Sequence, residues 1–112
     1  MGVTLKNAYL DQPAAVDTTI YTCPANTTAR VLKCTVTNDT TTAVTISFNK
    51  RPEAAAVGPE NLIMNLKTIG SRETYECPEI VGQVFEATDL LSAIASVADQ
   101  LTVNLDIVEI VW

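Results

Sequence analysis

The chain contains no histidine, so the side chain that most often serves as a general base near neutral pH, and as a metal ligand, is missing. Aromatic residues make up only 5% of the sequence. Tyr9, Tyr21, Phe48, Tyr75, Phe85 and Trp112 do not cluster into a platform on which sugars or bases could stack. The four glycines form no phosphate-cradling loop, and no serine sits in a nucleophile elbow. Positive charge is scarce as well: seven Lys and Arg stand against 13 Asp and Glu, for a net charge of -6. The seven are scattered, which argues against the basic stripe that nucleic acid selects. No stretch approaches the ~18 apolar residues of a membrane span. The opening MGVTLKNAYLDQPAA lacks the basic region, apolar run and small-residue cleavage site of an export signal. The expectation is therefore a chain that is neither exported nor inserted, without substrate, metal or cofactor.

What remains is a 112-residue chain that is 47% hydrophobic, enough for one domain over residues 1–112 with a single core. Its cysteines, Cys23, Cys34 and Cys77, are odd in number and none lies in a CxxC pair, so they outline neither a zinc site nor a disulfide framework. Cys34 alternates with Leu32 and Val36, which makes it a small apolar core residue. Cys23 and Cys77 share a local setting, YTCP and YECP, that reads as two strand ends closed by proline; whether they ever pair is left open.

Hydrophobic periodicity is two almost throughout, and Thr and Val are abundant. The chain reads as all-β, with strands over 3–10, 18–22, 29–38, 43–49, 61–69, 73–76, 80–85, 90–97 and 101–111. Eight or nine short strands favour an antiparallel β-sandwich of jelly-roll type. Turn signals at Pro24-Ala25-Asn26, Asn38-Asp39-Thr40, Thr88-Asp89 and Ala98-Asp99-Gln100 separate the apolar runs. Asn26 and Asn38 also match the glycosylation acceptor pattern, but they fit turn positions better. The short NDTTTA turn, 38–43, predicts a hairpin that sets Leu32, Cys34 and Val36 beside Val44, Ile46 and Phe48. KRPEAAAVGPE, 50–60, is the longest irregular stretch, with room for one helical turn over 53–57. It predicts a crossover between sheets or a protruding contact arm.

Candidate chemistry is thin. Glu73, Glu76 and Glu79 read as a solvated edge, and Glu86 with Asp89 offers too few oxygens for a calcium site. Candidate surfaces are clearer. In LLSAIASV, Ala93 and Ala95 share a face with Leu91 and Val97, turning Ile94 outward. The last strand alternates up to Ile107 and then runs almost unbroken through Val108, Ile110, Val111 and Trp112. That run predicts cover on both faces, from a loop or from another subunit. The candidate contact residues are accordingly Ile94, Val108, Ile110, Val111 and Trp112, with Lys50, Arg51, Pro52, Val57 and Pro59 on the long loop, and an N-terminal arm over 1–11.

IYTCPANTTARVLKCTVTN, TTTAVTISF and VFEATDLLSAIASVADQLTVNLDIVEI together resemble a class of small virion proteins of tailed bacteriophages. That class is built as T-I/L-Y-T-x-P-x-x-T-T-A, then strands, then a late E-A-x-D-x-L-S-A-x-A-S block. The likeness covers residues 18–110, and Asn26 and Thr88 stand where its pattern usually has glycine. The resemblance implies a jelly-roll capsid decoration (cement) protein at the virion surface, assembled in the host cytoplasm. It would act as a homotrimer that strengthens contacts between major capsid subunits, with no catalytic residue and no cofactor. A neck or tail ring, or a fibre-associated part, is the alternative it leaves.

Overall fold

Alternating β-branched and polar residues produce nine strands in the computed structural model, which describes residues 2–112. They are β1 (Gly2–Asp11), β2 (Thr18–Thr22), β3 (Thr27–Asn38), β4 (Val44–Arg51), β5 (Leu62–Ile69), β6 (Thr74–Tyr75), β7 (Val84–Phe85), β8 (Leu90–Ala95) and β9 (Leu101–Val111). One sheet has the order β1-β9-β3-β6, with β7 also on β3, and the other has the order β2-β8-β4-β5. Every pairing is antiparallel. The pairs are nested: β4 with β5, β3 with β6 and β7, β2 with β8, β1 with β9. A single long hairpin folded over on itself gives this pattern, with β6 and β7 acting as one interrupted strand, and it is the jelly-roll topology the sequence predicts.

Between the sheets lies one core. β3 and β9 contribute Val31, Cys34, Val36, Leu101, Val103, Leu105 and Ile107, against Ile46, Phe48, Leu91, Ala93 and Ala95 from β4 and β8. Phe48 and Phe85 are fully buried. Such side chains bring about 1.5–3 kcal/mol each in burial free energy.

Two connections exchange the roles expected of them. β3 and β4 do not form a hairpin; they lie in different sheets, and 39–43 is the corner between layers. Conversely, the segment after Arg51 joins β4 to β5, neighbours in one sheet, so it is a long hairpin loop and not a crossover. Residue count does not distinguish a corner from a hairpin. What decides is that β3 and β4 each bury one face, and two such faces are satisfied by stacking as well as by pairing. The corner is set by Asn38, fully buried, whose amide donates to the Thr42 and Ile69 carbonyls at 2.9 and 3.0 Å while its oxygen accepts from Thr40 N and Thr40 Oγ1.

Bulges account for the remaining departures. The β3–β9 ladder slips between Val31 and Lys33, so Leu32 is an extra residue turned out to solvent, 46% exposed, and not a partner of Cys34. Val97, expected on the core face, lies past the end of β8 and is also exposed. The predicted strand over 80–85 shortens to Val84–Phe85, because Ile80 and Val81 N–H groups turn back to the Cys77 carbonyl. Asn26 (φ 55°) and Thr88 (φ 72°), at the positions where the resembled pattern has glycine, both adopt left-handed backbone.

Candidate interaction surfaces

Strand direction places the β2–β3 turn, the β4–β5 loop, the β7–β8 turn, the start of β1 and the end of β9 at one end of the sandwich. Gly2 lies opposite Val111, which lies opposite Thr27. Trp112, 64% exposed, donates its backbone N–H to Asn26 O at 3.0 Å and its indole N–H to Thr28 Oγ1 at 3.1 Å. The three segments singled out as contact surfaces therefore converge, except that Met1 of the arm lies outside the described residues. Ile94 stands apart. It is half-buried on the outer face of β8, opposite Ser47.

β9 is an interior strand of its sheet. It lies between β1 and β3, with Leu101 to Glu109 alternating onto the core face and Val108 and Ile110 onto the outer face. That outer face is not covered: Val108 is half-buried, Ile110 38% exposed, and Val111 beyond it 43% exposed. The true edge is β1, where Val3 is 67% and Leu5 72% exposed. The pattern Val3-Thr4-Leu5-Lys6 carried this signal, but the terminal strand's longer run masked it.

The 52–61 loop contains two 3₁₀ turns, Pro52–Ala54 and Pro59–Asn61, and is tied down along its length. Asn49 donates to Gly58 O and to Asn61 Oδ1 at 3.1 and 2.7 Å; Asn61 donates to Ala56 O at 3.0 Å. Arg51 pairs with Asp17 at 2.8 Å. Lys50 turns inward over the Phe85 ring, 5.4 Å from its centroid, and reaches Gln83 Oε1 at 3.3 Å. Pro52, Val57 and Pro59 remain exposed. A shallow groove of about 430 Å³ runs between Lys50, Pro52, Glu60, Ile63 and Gln83.

Beneath this end, Glu109 is buried on the core face and accepts a 2.5 Å hydrogen bond from the Tyr21 hydroxyl, with Lys6 Nζ at 3.6 Å. Burial, followed by that bond to Glu109, raises the Tyr21 phenol above its ordinary range. Asp89, also buried, accepts from the Glu53 and Glu86 N–H groups at 3.1 and 2.9 Å. It anchors the long loop to the β7–β8 turn, one oxygen accepting from each backbone N–H. Among the described residues, no group of three or more His, Cys, Asp or Glu could hold a metal, and no helix is long and apolar enough to cross a membrane.

All three cysteines are free and buried. Cys77 neighbours Cys34, not Cys23: continuing the Val36–Tyr75 register by two residues sets the two opposite each other, while the Cys77 thiol points at the Tyr75 carbonyl at 3.8 Å. The adjacent Cys77 thiol, with burial, raises the Cys34 thiol. Cys23 instead points its thiol at Thr27 O, 3.3 Å away. Compared with known proteins, the chain matches no family model, no curated protein and no solved structure.

Proposed function

We propose that this chain is a structural protein of a phage virion, of the capsid-decoration type, that works by burying surface against its neighbours rather than by catalysis. The observation that carries this reading is the convergence at one end of a jelly roll of exposed apolar side chains from three segments: Val3 and Leu5, Ile110 to Trp112, and Val57. Patches of this kind on a small acidic domain mark places where another protein sits. Its partners in this reading are further copies of the chain and a major capsid protein, with no nucleic acid, membrane or small-molecule substrate.

Replacing Ile110 and Trp112 together with serine tests it. The expected outcome is weaker capsid attachment, read by co-sedimentation with purified capsids, with the urea midpoint nearly unchanged, because substitutions at exposed positions shift stability by about 0.5 kcal/mol. Equal loss of attachment and stability would make these residues part of the fold and remove them from the interface. Light scattering of the purified protein reads the copy number. A trimer fits the decoration role the resemblance implies, whereas a six-fold or twelve-fold ring moves the protein to the neck or tail.

A further inference from the structure

β1 closes one side of its sheet, and among the described residues no strand pairs with its outer edge. Ten residues long, it is exposed from Gly2 to Asn7. A strand edge of that length carries a row of unsatisfied N–H and C=O groups and invites another strand. Its side chains indicate which strand. Val3 and Leu5 lie on the outer face, continuing Ile110 and Val108 of β9, and flank Thr4 symmetrically.

We propose that two copies of this chain join through their β1 edges, antiparallel about a two-fold axis beside Thr4. In that register Val3 meets Leu5 of the second copy, Leu5 meets its Val3, Thr4 meets Thr4, and Lys6 meets Gly2. The outer face becomes one surface on which Ile110, Val3 and the second copy's Leu5 and Val108 form a row, repeated by symmetry. Neighbouring registers are poorer: moving the axis to Leu5 sets Val3 against Asn7, and moving it to Lys6 sets that cation against itself. Stacking two copies through their outer faces is also disfavoured. Arg30 and Lys33 lie on that face in register with Val108 and Asp106. Neither makes an ion pair among the described residues. A two-fold stack with its axis beside them would set cation against cation. Edge pairing keeps them apart and needs no group from the capsid, so it stands independently of the decoration reading.

Cross-linking of the full chain tests the register. A Thr4→Cys variant, held at high concentration with oxidised glutathione, is expected to give a disulfide-linked dimer, because directly opposed strand positions fall within disulfide reach. Val3→Cys and Leu5→Cys variants should cross-link when mixed, and each much more slowly alone. Sedimentation should show a concentration-dependent monomer–dimer equilibrium that Leu5→Lys weakens by at least about tenfold, since both symmetric apolar pairs are lost. Cross-linking of Val3→Cys alone as fast as Thr4→Cys would overturn the register. A monomer at millimolar concentration would overturn the pairing. A trimeric mass would also overturn it, since paired like edges close at two copies, while leaving the structural reading in place.

Discussion

At the scale of single residues, the polar groups inside the sandwich distinguish bonds that hold the fold from those that do not. The Tyr21 hydroxyl is the closest donor to a buried carboxylate, so Tyr21→Phe is expected to lower stability by about 1.5–3 kcal/mol, read from the urea midpoint. Ser92 is the contrary case. Its hydroxyl is fully buried in β8 and has no hydrogen-bond partner among the described residues, so Ser92→Ala should leave stability unchanged or raise it by up to about 1 kcal/mol in the same measurement. Tyr75 adds a pH dependence. The hydrogen bond it donates to Glu79 at 2.8 Å, then burial, push its phenol up to about 12 from an ordinary 10.0. A group whose pKa is raised by folding contributes fully below the unfolded value and loses that contribution as pH climbs through the folded one. Stability should therefore fall between about pH 10 and 12, with less of a fall in Tyr75→Phe, as thermal melts across that range would show.

Elements were more legible than their partners. Thr18–Thr22 and Leu101–Val111 match the predicted bounds residue for residue, because a turn signal borders each, Pro24-Ala25-Asn26 after the first and Ala98-Asp99-Gln100 before the second. The jelly-roll class was legible too, from strand number and spacing alone. Pairing was not: the five residues after Asn38 suit a hairpin and a corner equally, and the distinction rests on Asn38 reaching across to the Ile69 carbonyl, a contact 31 residues away in sequence. Asn38→Ala is accordingly expected to cost about 2 kcal/mol or more, since two carbonyls lose a donor together; differential scanning calorimetry would register it as a lowered Tm. The slip at Leu32 left no trace in the sequence, because an extra residue in an alternating run resembles a change of face. Of the candidate surfaces, the residues were readable but not their arrangement: the apolar end of β9 was evident, whereas its flanking by β1 emerges only from the pairing of distant segments.

For the molecule as a whole, the nested pairing makes almost every contact non-local, with β4–β5 the innermost hairpin and β1–β9 the outermost. Chains of this kind fold in milliseconds to seconds because long loops must close before their contacts form. Hydrogen exchange should follow the nesting. Amides of β1 are expected to exchange first and those of β3, β4, β8 and central β9 last, near the global unfolding free energy; equal protection across β1 and β9 would mean that the sheet opens only as a unit. The same nesting leaves Gly2 and Val111 side by side on neighbouring strands. A linker of a few residues could therefore close the backbone into a ring, and the chain could be reopened at the 70–73 turn at the far end. Such a circular permutant would keep every strand neighbour while turning the outermost pair, β1 and β9, into a local hairpin, and it should fold faster than the original order without changing the architecture.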